Sequence, residues 1–196
     1  MSRVEVPPFS GAVLCGGASR RMGQDKALIV VDGRALAVRV AAALREAGAS
    51  DVVAVGGDLA ALRAAGLAAV PDAEPGEGPL AGIVTALGHA DDDVVFVAGC
   101  DLVDPSPPAM AATVRALAAS RGGDVAVAVV DGRRQWVHAA WRRHGRAPLA
   151  AAFAAGERAV HAAVAAAGLR VVDVPLDAGA VADADEPSDL PGPAGG

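Results

Sequence analysis

Asparagine is absent from this 196-residue chain, lysine occurs once and cysteine twice. The two cysteines, Cys15 and Cys100, form no C-x-x-C pair, and no secretory n-region or cleavage pattern accompanies them. That usage argues against a disulfide scaffold and sets the expectation of a reduced cytoplasm. No apolar run reaches the roughly 18 residues of a membrane-spanning helix. The mean hydropathy of +0.39 therefore reflects short alanine-rich stretches, and no membrane partner is expected. With a net charge of −6 and scattered arginines, the chain has no basic face for nucleic acid, although a local basic loop can hold a small anion. Neither G-x-x-x-x-G-K-[ST] nor G-x-G-x-x-G occurs, which sets aside two common glycine-rich nucleotide loops.

What is present alternates between two periods. Short β-branched runs at 11–15 (G-A-V-L-C), 51–55 (D-V-V-A-V), 93–98 (D-V-V-F-V-A), 124–130 (D-V-A-V-A-V-V) and 170–174 (R-V-V-D-V) read as buried strands. Helical stretches at 36–47, 58–65, 80–90, 107–120 and 158–167 lie between them, and Gly48 and Gly168 stand where glycine C-caps belong. The alternation predicts an α/β fold, a doubly wound and mostly parallel sheet with helices on both faces. Residues 135–142 follow D-G-R-R directly, which predicts an antiparallel hairpin strand near an edge. One domain over 1–190 and a frayed tail at 191–196 are expected.

In such a sheet ligands gather where the strands end. The first strand runs into L-C-G-G-A-S-R-R-M-G-Q-D-K-A, residues 14–27, which contains the solitary lysine, Lys26. Gly16, Gly17 and Gly23 allow close backbone approach and free amide groups for phosphate oxygens, and Arg20, Arg21 and Lys26 add charge. The combination reads as a triphosphate cradle. A compact ammonium on a flexible stem can follow a phosphate through reaction, which a planar guanidinium does less well. Asp101 ends the apolar run D-V-V-F-V-A-G-C-D, where a hard oxygen ligand for Mg²⁺ would sit. Its alternative is helix capping, for which Asp104 is the nearer candidate.

Residues 14–27 resemble the signature of the molybdenum cofactor guanylyltransferases, the MobA family. Further segments agree in order: P-D at 71–72, G-P-L-A-G-I at 78–83, C-D at 100–101, H-A-A-W-R-R at 138–143, G-E-R-A-V-H at 156–161 and D-x-D-x-P-x-D-L at 183–190. The resemblance implies transfer of guanosine monophosphate from GTP to the phosphate of molybdopterin, with magnesium required and pyrophosphate released. It implies that Leu14, Cys15, Gly16, Gly17, Ser19, Gly23 and Lys26 line the nucleotide, that Asp72 faces the nucleoside, and that Gly78 and Gly82 lie by the guanine. Transient contacts with proteins that supply or accept the cofactor are also expected.

His138 is assigned to the pterin side, or else is a packed core histidine; Arg158 and His161 carry a weaker signal. The chain departs from the family at Asp183 and Asp185, where many members carry asparagines. Two carboxylates near a triphosphate repel it unless a second cation, an arginine or a proton neutralises them; either they help hold metal, with Asp185 as a second ligand, or they face away. Cys15 stands where alanine is usual and packs as a small hydrophobe. Two rival readings stand beside this one. The cytidylyltransferase acting on the same cofactor usually has A-A at Gly16-Gly17 and proline at Asp25; the other rival is a non-catalytic nucleotide- or cofactor-binding protein.

Overall fold

A computed structural model describes residues 5–16 and 25–183. Nine strands appear in it: β1 (Ser10–Leu14), β2 (Val30–Val31), β3 (Arg34–Ala35), β4 (Asp51–Val55), β5 (Ala68–Val70), β6 (Val94–Gly99), β7 (Val125–Val130), β8 (Arg133–Arg142) and β9 (Val171–Pro175). Seven of them form one sheet in the order β5-β4-β1-β6-β8-β7-β9, and β2 pairs with β3 in a separate two-stranded ribbon. The pairs β1/β4, β1/β6, β4/β5 and β7/β9 are parallel, while β8 runs antiparallel to β6 and β7. Every strand of the sheet except β8 therefore ends at the same edge. Both hairpins turn through Asp-Gly with positive φ at each residue: 49° and 75° at Asp32-Gly33, 49° and 74° at Asp131-Gly132. That pair of dihedrals suits the twist of a two-residue hairpin loop.

The helices are α1 (Leu36–Glu46), α2 (Leu59–Ala64), α3 (Pro79–His89), α4 (Pro107–Ala119), α5 (Arg146–Ala154) and α6 (Val160–Ala166). In α1 the buried residues Leu36, Ala37, Val40, Ala41 and Leu44 recur at helical spacing; Ala37, Val40, Ala41 and Leu44 join Val13, Ala54 and Phe96 in one core layer, while Leu36 packs with Ile29 and Val31. The opposite face of the sheet packs Ala12, Leu14, Val95, Val97 and Trp141 against Leu80, Ile83 and Leu149. Burial on both faces explains why β1 and β6 read as unbroken apolar runs and not as alternating ones.

Two expectations change, and one helix is additional. β8 has the expected direction but lies third from the β9 edge, with β7 and β9 outside it. Its middle, His138-Ala-Ala-Trp141, is buried throughout, while arginines occupy the ends; an outer position would leave that middle uncovered. The register of β7 against β8 shifts between Val127, which pairs with Ala139, and Ala128, which pairs with Gln135, so Trp136–His138 bulge away from β7. Helix α5 escapes a periodicity reading because Leu149 is its one buried residue and alanine fills much of the rest. The cap of α4 is Ser106, whose hydroxyl accepts from the Ala109 amide, not Asp104.

Candidate active site

β1 delivers the chain to the carboxyl edge with the Leu14 and Cys15 side chains buried and Gly16 exposed. The Cys15 amide is bonded to Val55 O at 2.9 Å, and Leu14 O receives the Cys100 amide at 3.1 Å. The two thiols thus lie on neighbouring parallel strands, and both belong to one core layer. Hydrogen bonding to Cys15 and burial raise the Cys100 pKa well above the usual thiol value, which keeps that group a protonated packing element. Gly17, Ser19, Arg20, Arg21 and Gly23 lie outside the described residues, as does Asp185.

The chain re-enters at Asp25, which caps the short 3-10 turn Lys26–Leu28 by accepting the Ala27 amide at 3.0 Å. Its second oxygen accepts the Asp58 amide at 3.3 Å. The exit of the first loop is thereby stapled to the loop after β4. That second loop, Gly56-Gly57-Asp58, is a part of the site the sequence reading missed. Gly56 has φ 75°, and a Cβ there would lie 3.1 Å from both Gly16 Cα and Gly16 N; at Gly57, φ 74°, it would lie 3.0 Å from Cys15 O. Only glycine lets the two loops touch in this way. The signal was available in the sequence: G-G-D stands directly between a strand and a helix, as the first loop does.

Asp101 sits on the turn after β6, as its place at the end of an apolar strand predicts. Lys26 Nζ is 3.5 Å from Asp101 Oδ2, with the side chains 15% and 27% exposed. The other oxygen, Oδ1, lies 2.7 Å from where a Cβ at Gly99 would stand, so the carboxylate folds back over β6. Two tethers hold this turn. Arg39 of α1 donates to Val103 O at 3.0 Å, and a bridge pairs Leu102 with Asp183 while the Val103 amide reaches Ala182 O at 2.9 Å. The segment carrying Asp183 is thus brought beside Asp101. Among the described residues there is no group of three or more His, Cys, Asp or Glu that could hold a metal ion. One partly exposed carboxylate fits a magnesium ion whose remaining ligands are substrate phosphates and water.

Asp72 follows β5 and faces the first loop, with Oδ2 3.8 Å from a Cβ position at Gly16. Its Oδ1 accepts from the Thr85 hydroxyl at 3.0 Å and the Glu74 amide at 3.2 Å. Gly78 precedes α3 with φ 92°, and Pro79 occupies the first turn of that helix. Gly82 has a different surrounding: a Cβ there would lie 3.1 Å from Leu14 Cδ2, so this glycine seats α3 on the end of β1. Arg158 bonds Glu77 Oε2 at 2.6 Å and lies over the Phe153 ring, bracing the loop that leads to Gly78.

His138 is 1% exposed, lies edge-on to Phe96 with ring centroids 5.0 Å apart, and has no hydrogen-bond partner at either nitrogen. Burial lowers its pKa to about 4, so it is a neutral core group. These surroundings match the packed-histidine alternative.

Lys26, Asp101, Gly16 and Asp72 therefore converge on one strand edge, and comparison with other proteins gives this convergence a family. A model of the MobA-like NTP transferase domain matches residues 11–172. The molybdenum cofactor guanylyltransferase of Rhizobium meliloti (strain 1021) is 33% identical over 169 residues, 76% of this chain and 77% of that protein. Its counterpart in Xanthomonas euvesicatoria pv. vesicatoria (strain 85-10) is 41% identical over 90 residues, 46% of this chain and 44% of that one; the match thus spans less than half of that relative. In three dimensions the fold is shared with molybdopterin-guanine dinucleotide biosynthesis protein A from Archaeoglobus fulgidus, at 23% identity and a TM-score of 0.72, covering 92% of this chain and 94% of that one. Running from β1 into β9, the match takes in every described strand that ends at the site: the chain belongs to the MobA-like NTP transferase domain family.

Proposed function

We propose that the protein transfers the guanosine monophosphate moiety of GTP to the phosphate of molybdopterin. The observation that carries this reading is the 3.5 Å approach of Lys26 to Asp101 beside the exposed backbone of Gly16. That juxtaposition supports a site in which a cation, a metal-competent carboxylate and a close-approach loop act on one substrate. An acceptor phosphate oxygen is already anionic at neutral pH, so no general base is required. It forms a bond to the α-phosphorus while the bond from that phosphorus to the bridging oxygen of the β-phosphate breaks, and pyrophosphate leaves.

The residues position the reactants and offset charge. Lys26, with Arg20, Arg21 and the amides of the first loop, balances charge that grows towards the leaving group. Asp101, with Asp185 as a second ligand, would hold Mg²⁺, whose chemistry is to neutralise phosphate charge. Asp72 and Gly78 face the nucleoside, and Gly82 sets their distance from the first loop by seating α3. Among the described residues no helix is long and apolar enough to cross a membrane. The setting that suits two buried free thiols is a reduced cytoplasm, with transient contacts to proteins that supply or accept the cofactor.

The test is incubation with Mg²⁺, molybdopterin and either GTP or CTP, following pyrophosphate and the dinucleotide. Clear preference for GTP is expected, because polar groups set against the guanine edge are left unpaired by cytosine, an effect that reaches roughly 10⁴-fold where a site is built around them. Equal use of CTP would move the protein to cytidylyl transfer. Tight GTP binding without product would make it a carrier.

A further inference from the structure

We propose that Thr85 is a positioning residue for the nucleotide, fixing Asp72 so that one carboxylate oxygen is committed to the protein and the other faces the cleft as an acceptor. The ligand group this acceptor takes is an N–H or O–H of the nucleoside. The inference rests on the reading that Asp72 faces the nucleoside.

Threonine inside a helix usually turns its hydroxyl back onto the carbonyl one turn earlier. Thr113 in α4 does so, donating to Ala109 O at 3.0 Å. Thr85 in α3 does not: its hydroxyl leaves the helix, donates to Asp72 Oδ1 at 3.0 Å and accepts the Ala73 amide at 3.2 Å. A hydroxyl has one proton to give, and here the carboxylate takes it. At 6% exposure, Thr85 lies beneath Asp72 and not beside a ligand. The Glu74 amide, 3.2 Å away, adds a second donor to the same oxygen.

The consequence falls on Oδ2. Among the described residues it receives no donor, and it lies 3.8 Å from the Cβ position of Gly16, on the cleft side. Unrestrained, an aspartate at a loop start samples several rotamers, and a ligand that needs one of them loses affinity by the fraction of time it is absent. Thr85 removes that loss before the ligand arrives. Serine would preserve the effect and valine, which has nearly the same shape, would abolish it.

Magnesium–GTP binding by calorimetry, paired with initial rates, tests this in Thr85→Val, Thr85→Ser, Asp72→Asn and the Asp72→Asn/Thr85→Val double variant. Thr85→Val is expected to weaken GTP binding and raise the KM for GTP about tenfold, the worth of roughly one well-made hydrogen bond. The kcat and the acceptor KM should stay within a factor of about three, the sign of ground-state binding alone. Thr85→Ser should match the wild type, and adding Thr85→Val to Asp72→Asn should cost nothing further. If Thr85→Val leaves GTP affinity intact while Asp72→Asn does not, or weakens binding equally in both backgrounds, Thr85 has no positioning role. An Asp72→Asn variant with wild-type affinity removes the nucleoside assignment itself. Thr85→Ala substitutes for valine should that variant fold poorly, and melting temperatures of all forms separate lost stability from lost binding.

Discussion

Lys26 and Asp101 approach to 3.5 Å across the ends of two different segments, the first loop and the turn after β6. The ammonium and the carboxylate answer one another's charge; in the proposed reaction triphosphate and metal would give each a stronger partner. The pair keeps both groups in place at modest cost, since an ion pair with solvent access contributes little to stability.

Asp101→Asn preserves shape and removes the anion. Turnover should fall by on the order of 10²-fold or more, comparable to losing one strong electrostatic contact, and the melting temperature should change little. Steady-state rates across a magnesium titration provide the check. Near-normal, magnesium-dependent turnover would end the assignment of Asp101 as a metal ligand.

Lys26→Ala should weaken GTP binding, slow transfer, or both, and Lys26→Arg should restore only part of the loss. A guanidinium offers a planar fork where the site supplies a place for a point charge. Should the arginine variant work as well as the parent, the single lysine among sixteen arginines has no chemical reason.

Gly57→Ala tests the contact between the two loops. With φ at 74° and Cys15 O and Asp25 Oδ2 at 3.0 and 3.3 Å from the new carbon, alanine carries a conformational penalty of roughly 1–2 kcal/mol and pushes on the first loop. GTP affinity should fall by more than unfolding free energy does. A variant whose binding and denaturation curves overlay the parent's would show that the contact does not shape the site.

His138 gives a pH dependence of stability. Its pKa is about 4 in the fold and about 6.5 unfolded, so the stability from the neutral imidazole is complete above pH 6.5. It is lost progressively as pH falls towards 4, where the folded form also takes the proton. The full loss is on the order of 3 kcal/mol. Denaturant unfolding of the parent and of His138→Leu at pH 7.5 and 5 should show a steeper decline for the parent. Parallel declines would mean that His138 is not held neutral.

The sheet and much of its helical cover were legible because burial on both faces writes continuous β-branched runs, and because Gly48 and Gly168 mark helix ends. The place of Asp101 on the turn after β6 was legible for a second reason: it ends an unbroken apolar run that burial on both faces requires. Gly56-Gly57 looked like punctuation between elements. What distinguishes it is the backbone opposite, Gly16, and contacts between loops leave no period in a sequence. Gly78 and Gly82 show the same limit from the other side. Both belong to one motif, yet Gly82 has the Leu14 side chain against it and Gly78 has nothing within 4 Å. The place of β8 was likewise hidden, since local pattern gives a strand's direction more readily than its neighbours.

The bridge between Leu102 and Asp183 also bears on when the site comes into being. During synthesis β1, Lys26 and Asp101 leave the ribosome well before residue 183, and they can begin to pack while the later chain is still being made. The turn that carries Asp101 lacks its outer tether until the segment at 182–183 has emerged. A nascent chain can therefore possess the cation, the carboxylate and Gly16 before their final spacing is set, which waits on the segment at 182–183.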